Sequence, residues 1–157
     1  MELKIKISVI VTDKDHGVLL LKEKTEKHDR PLWNIVKGTF GDHDNENIFE
    51  AAIRECKEEA GVEVKLEKTT GCYVIQKDGD FKLQFNFIGK ITQGSPQIAE
   101  AKEQASRNED ISDIRWFTPD EIRKIDSKEF ISKKIFLMVQ DWLNNKTYSL
   151  DIYHHLE

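Results

Sequence analysis

Residues 38–62, GTFGDHDNENIFEAAIRECKEEAGV, decide how the rest of the chain is understood. Their second half has the pattern of one helix. Asn47 is placed to be its N-cap, and Glu50, three residues on, completes a capping-box pattern. Gly61 falls where a left-handed C-terminal residue is wanted. Between these ends Phe49, Ala52, Ile53, Cys56 and Ala60 recur at three- and four-residue steps, an apolar stripe for burial.

The same spacing gathers Glu55, Glu58 and Glu59 on another face. At roughly 100° per residue they share a narrow arc turned away from the stripe. Glu55 lies one turn from both of the others, so like charges meet, each such pair costing a few tenths of a kcal/mol. They also crowd the C-terminal half of the helix, where the dipole disfavours anions. Only Arg54, four residues before Glu58, gives local compensation, and a solvated face would mix signs more evenly. An acidic cluster so placed is better explained by a hard divalent cation resting on it.

These residues resemble the signature of the Nudix hydrolases: Gly, five residues, Glu, seven residues, Arg-Glu, an apolar residue, any residue, Glu-Glu, any residue, Gly and an apolar residue. Glu46, Arg54-Glu55, Cys56, Glu58-Glu59, Gly61 and Val62 match at the right spacing, over about a sixth of the chain. One position departs. The leading glycine falls on Phe40, with Gly38 and Gly41 to either side, so the loop is expected to be remodelled or its turn built differently. Upstream, Trp33-Asn34-Ile35-Val36 leads into the box as an apolar strand with a tryptophan commonly does in this family. Lys37 stands where the family often has proline.

A chain of 157 residues suits one domain, expected over residues 1–155, with 156–157 a possible tag remnant. Apolar content of 38% and charged content of 34% are those of a folded globular protein rather than a disordered one. A net charge of −5 argues against a nucleic-acid surface, which needs clustered Lys and Arg. It leaves phosphorylated small molecules open, because a bound metal inverts the local field. No apolar run reaches a membrane span, and MELKIK lacks a signal-peptide core, so a cytoplasmic location and no membrane partner are expected. Cys56 and Cys72 have no zinc or redox spacing, and Cys56 is expected to be a buried free thiol.

Along the chain, residues 4–12 (KIKISVIVT) alternate as a strand, 13–17 turn, and 18–22 return as a second strand. Residues 23–30 form a loop closed by Pro31, and 33–36 a short strand. After the helix come strands at 62–69 and 71–76, then Asp78-Gly79 as a hairpin turn. Phe81, Leu83, Phe85 and Phe87 give the next strand one strongly apolar face. Residues 93–110 are polar and long for a loop, as lids and binding segments often are. Residues 111–117 form a strand, and Thr118-Pro119-Asp120-Glu121 starts a helix. A final helix over about 127–144 is expected to bury Ile131, Ile135, Met138, Val139 and Trp142. Elements so mixed suggest an α/β fold, a mixed sheet covered by helices on both faces. That is also what the resemblance implies: a Nudix-like α/β/α sandwich with the box as loop, helix and loop.

By position, the resemblance makes Glu58 and Glu59 ligands of Mg2+ or Mn2+, and Glu55 a ligand or the activator of water. Arg54 and Glu46 become an internal ion pair holding loop against helix, with Gly38 and Gly61 shaping the box. Some family members take a general base from a late loop. Glu103, Glu109 and Asp110 are candidates, and Glu109 is the choice. Lys37 is a candidate for substrate contact, and His43 a weaker one. Trp33, Tyr73 and Phe85 can stack on a base, although core packing explains each more simply.

The implied activity is metal-dependent hydrolysis of a diphosphate bond in a nucleoside diphosphate derivative. Some relatives cleaving ADP-ribose carry a proline, and some cleaving dinucleoside polyphosphates a tyrosine, about sixteen residues past the box. Residues 76–81 have neither, which leaves nucleoside triphosphates favoured over a dinucleoside polyphosphate or ADP-sugar. The competing readings are a Nudix-like module that binds a nucleotide without cleaving it, and a structural domain whose acidic face is incidental. Oligomeric state has no signature in the sequence.

Overall fold

Alternation at the N-terminus produces strand β1 (Leu3–Asp13), which sits inside the sheet of the computed structural model describing residues 1–15 and 17–157. The turn expected at 13–17 contains His16, which lies outside the described residues. β2 (Gly17–Glu23) runs back antiparallel, and β3 (Leu32–Asn34) pairs with it. The strand expected at 33–36 is divided: Ile35 leaves the ladder, its N–H held by the Asn34 side chain at 2.9 Å, before β4 (Val36–Thr39) joins β1.

Helix α1 (Ile48–Ala60) follows, with Asn47 Oδ1 accepting from the Glu50 N–H at 2.9 Å. The expected capping box is only half formed, because the Glu50 carboxylate accepts from the Asn47 side-chain amide instead of its backbone. Gly61 closes the helix at φ 68°, a conformation that suits glycine. β5 (Glu63–Lys77) is one strand where two were expected; irregularities at Leu66/Lys68 and Thr69/Gly71 let it bend without breaking. Asp78 and Gly79, both at positive φ, turn it into β6 (Asp80–Gln93).

The segment 93–110 is not all loop, since it contains α2 (Ala101–Ser106). β7 (Ile111–Phe117) and α3 (Pro119–Arg123), the latter with its full capping box, lie where expected. The last helix is shorter than expected. Ser127–Glu129 form a 3-10 turn, and Phe130 bridges in parallel to Trp33, with the Ile131 N–H on the Trp33 carbonyl at 2.8 Å. This edge pairing keeps the backbone extended until Ser132 caps α4 (Lys133–Leu143). A short strand, β8 (Tyr148–Ser149), then pairs with β5.

The strands form one mixed sheet in the order β3-β2-β1-β6-β5-β8, with β4 on β1 and β7 on β2. β1 runs parallel to β6 and antiparallel to β2 and β4. Ile7, Val9 and Val11 face α1, meeting Ala52, Cys56 and Phe87. Ile10, Val18 and Leu20 face the other way, onto Ile122, Ile135, Met138 and Val139. Helices therefore cover both faces, the α/β sandwich expected, and each large apolar side chain so buried is worth about 1.5–3 kcal/mol. β6 has the apolar face expected, Phe85 and Phe87 packing on the α1 side, but its polar face is not solvated. Gln84 and Asn86, on the α4 side, are also buried. Asn86 takes the Ser8 hydroxyl at 2.8 Å and donates to Thr70 at 2.7 Å.

Candidate active site

The apolar stripe of α1 fixes its rotation on the sheet, and that turns Glu55 and Glu59 inward beside β4 instead of out to water. Their exposures are 7% and 2%. Glu55 sits against Gly38, where any Cβ would overlap its carboxylate. The glycine that close approach demands is therefore Gly38. Phe40, at the position where the resemblance puts glycine, packs its ring against the α1 side of the core. Its N–H extends the pairing to the Ile5 carbonyl at 2.9 Å. The turn itself is carried by Gly41 at φ 105°.

Arg54 holds the acids from below. Its Nε and Nη2 engage Glu46 at 2.8 and 3.0 Å, a two-pronged contact from helix to loop. Its Nη1 reaches Glu55 at 2.9 Å and Glu58 at 3.1 Å. The Glu46 contact above all holds the guanidinium above its ordinary value, and the same hydrogen bond lowers the Glu46 carboxyl. Burial pushes Glu55 up to about 7; Arg54 opposes this, and Glu58 adds to it. Burial likewise pushes Glu59 well up, with Lys37 opposing and Glu109, Glu55 and Glu23 reinforcing.

The late-loop acids separate. Glu109 is fixed through Oε1 by Arg107 Nε at 2.7 Å, while its Oε2 is buried with no hydrogen-bond partner among the described residues. Arg107 also donates to the Glu58 carbonyl at 3.0 Å, and the Gln97 N–H to Ala60 at 3.0 Å, so this segment is tied to the end of α1. Glu103 lies on exposed α2, beside a small recess that it shares with Glu58. Asp110 is exposed at the rim of the main cavity, and His43 is exposed on the box loop.

That cavity encloses about 910 Å³ and is lined by Glu109, Lys37, Asn34 and Lys134 among others. Burial alone would lower the Lys37 ammonium, but Glu59 and Glu23 outweigh it and hold it above its ordinary value. Lys37 Nζ lies 3.4 Å from Glu23, whose other oxygen takes the Asn34 amide at 2.8 Å. Glu23 and Asn34 are 4% and 0% exposed. Neither was legible as a site residue, because a strand-end glutamate and a lone asparagine carry no spacing signal. Trp33, Tyr73 and Phe85 do not line the cavity. Trp33 meets Phe117 edge-on at 5.0 Å, Phe85 meets Tyr153 at 5.4 Å, and the Tyr73 hydroxyl bonds Asp141 at 2.6 Å.

Among the described residues no three His, Cys, Asp or Glu side chains already converge as a ligand set, and Arg54 spans Glu55 and Glu58. The donors present nevertheless fit a hard divalent cation. They are all oxygen, two are desolvated carboxyls held above their ordinary range, and Glu109 adds a buried oxygen lacking a partner.

A mixed sheet between helices, with a carboxylate-bearing helix and a braced loop beside a nucleotide-sized cavity, places this molecule among α/β proteins of the Nudix type. The chain belongs to the NUDIX family: the model described as "NUDIX domain" matches residues 2–138. A Bacillus subtilis (strain 168) protein named "Putative 8-oxo-dGTP diphosphatase" is 33% identical over 111 residues, 71% of this chain; the match spans only 64% of that relative's length. A NUDIX hydrolase from Nitrosomonas europaea superposes with a TM-score of 0.76 at 24% identity, covering 99% of this chain and 98% of that one. The NUDIX domain of Shewanella oneidensis NrtR, determined with ADP ribose, gives 0.69 at 11% identity, with 92% and 88% covered. At these identities the structural likenesses speak for the fold. No helix among the described residues is long and apolar enough to cross a membrane.

Proposed function

We propose that the chain is a pyrophosphohydrolase cleaving a diphosphate bond in a nucleoside diphosphate derivative, with (deoxy)nucleoside triphosphates, damaged ones included, as favoured substrates. One observation carries the reading: Glu55 and Glu59 are buried side by side although burial works against their charge. Folding alone gives no return for that arrangement, whereas cation binding does. The name of the Bacillus subtilis relative supports the substrate class.

Glu55, Glu58 and Glu59 would hold Mg2+ or Mn2+, as NUDIX hydrolases generally use. A bound divalent ion supplies neutralisation of the diphosphate and acidification of water. The chain's own groups do the remainder. Glu109 Oε2, buried and without a partner among the described residues, would accept a proton from attacking water, with Arg107 fixing the carboxylate. The Lys37 ammonium faces the cavity and orients substrate phosphate there. Arg54 and Glu46 keep the box loop on the helix, and Gly38 gives Glu55 its room.

The test is product analysis across a panel of nucleoside triphosphates, oxidised ones included, and nucleotide-linked diphosphates, with and without Mg2+. The expected result is metal-dependent release of nucleoside monophosphate, lost in Glu58→Gln and Glu59→Gln. Tight nucleotide binding without turnover across the panel would overturn the enzyme reading in favour of a nucleotide-binding module.

A further inference from the structure

A second charge cluster lies on the α4 face of the sheet, away from the box, and has the opposite sign. Strand register sets it up. Lys6 on β1 stands opposite Gln84 on β6, two pairs along from Lys4 opposite Lys82 and so on the same face. Ser8 and Asn86, next along the same face, are already committed to each other. Met138 of α4 lies over this row, within 3.7 Å of both Ser8 Oγ and Gln84 Nε2. Lys134, one turn earlier on α4, thereby projects toward Lys6 and Lys82.

Lys6, Lys82 and Lys134 are all half-buried, and among the described residues none is in an ion pair with a carboxylate. Lys6 has only the Thr39 hydroxyl, at 2.6 Å. Lys134 also lines the main cavity, together with Lys37. Burial first, then Lys82, Lys6, Lys37 and Lys27, bring the Lys134 ammonium down to about 8. A surface with charge to spare normally spreads its lysines or pairs them; this fold gathers three beside α4, with Lys134 on the main cavity and Lys82 on a separate recess. Beside them Gln84 is 1% exposed, and among the described residues its Oε1 has no partner and its Nε2 only a sulfur. A buried amide so poorly satisfied is an exception that calls for a missing group. It can accept from a sugar hydroxyl or, after the amide turns over, donate to an oxyanion.

Resting on the hydrolase reading above, we propose that Lys6, Lys82 and Lys134, with the Gln84 amide, form a second anion site that takes a phosphate carried by the substrate away from its scissile diphosphate. The main cavity, lined by both Glu109 and Lys134, would connect the two sites. The carboxylates of α1 and Glu109 serve the bond to be cleaved, and the lysines serve a phosphate on the sugar or on the group beyond it. The eleven-residue α4 points its N-terminus at the same place, and its dipole adds to the attraction. The favoured substrate class becomes a nucleoside diphosphate derivative with an additional phosphate monoester or diphosphate. An uncharged base or sugar would leave three ammonium groups with nothing to meet.

Two measurements test this. First, kcat/KM is compared within matched pairs: ADP-ribose against 2′-phospho-ADP-ribose, and GTP against guanosine 3′-diphosphate 5′-triphosphate. The extra phosphate is expected to raise kcat/KM about tenfold or more in the native chain, and that ratio to collapse toward one in Lys82→Gln and Lys134→Gln. Second, inorganic pyrophosphate is titrated calorimetrically into metal-free protein, where binding weakened about tenfold by either substitution is expected. Equal cleavage within the pairs overturns the second site while leaving the hydrolase reading intact. Absence of cleavage with lysine-dependent pyrophosphate binding overturns the hydrolase reading and keeps the site. No pyrophosphate binding, or binding indifferent to both substitutions, overturns the site whatever the turnover.

Discussion

Glu55→Gln is expected to stabilise the metal-free protein at pH 8, although it removes a carboxylate that touches Arg54. Burial first, opposed by Arg54 and reinforced by Glu58, carries this carboxyl from its ordinary 4.5 to about 7. The folded chain therefore keeps its proton to higher pH than the unfolded chain. As pH rises past about 4.5 the unfolded state ionises first, and stability falls until pH passes about 7, after which the loss is complete. The interval amounts to about 3 kcal/mol at pH 8. Glutamine keeps the shape and escapes that cost, but it forfeits a contact of 2.9 Å to Arg54, a group that retains Glu46 and Glu58. The value of about 7 already includes that contact, so the gain stays at about 3 kcal/mol. For a chain of this size that is a melting temperature higher by roughly 6–12 °C at pH 8, and little or no gain at pH 4. Thermal unfolding in chelator at both pH values measures it. A variant no more stable than the native chain at pH 8 would refute the placement of a desolvated charge at Glu55. Saturating Mg2+ should abolish the advantage, since the ion stabilises only the native carboxylate.

Arg54→Met should destabilise by about 2–4 kcal/mol, because Glu46 and Glu55, both largely buried, lose their partner; a double-mutant cycle with Glu46→Gln in urea should return a coupling of about 1–3 kcal/mol. Gly38→Ala forces its Cβ onto the Glu55 carboxylate. Turnover should fall about tenfold or more with the far-ultraviolet spectrum unchanged, and an alanine variant with full activity would remove Gly38 from the site. Of the two thiols, Cys72 is exposed and Cys56 buried, with burial pushing the Cys56 thiol well up. An aromatic disulfide reagent should therefore titrate one thiol quickly in the native chain and the second only on unfolding.

The parts of the molecule legible in the sequence are those whose signal is local. The α1 stripe and its caps, the Asp78-Gly79 turn and the Thr118 box each depend on residues within a few positions. All three appear where spacing puts them. What could not be seen depends on partners far along the chain. The last helix starts late because Ile131 pairs with Trp33, and β5 runs unbroken because β6 holds both halves. Gln84 and Asn86 look like the wet side of a strand until α4 is laid over them. In the site, the carboxylates of α1 shared a helix face and stood out. Asn34 and Lys134 come from separate elements and line one cavity only once the chain is folded, with Glu23 joined to them through the Asn34 amide.

The parallel pairing of Leu3 with Phe81, carried through to Thr12 with Lys90, has a kinetic consequence. A strand made at the outset of synthesis must wait 78 residues for its neighbour, so the interior of the sheet closes late, against a large loop entropy. Until then its run of isoleucines and valines has an open edge, the interval in which a nascent chain is most exposed to mispairing with another copy.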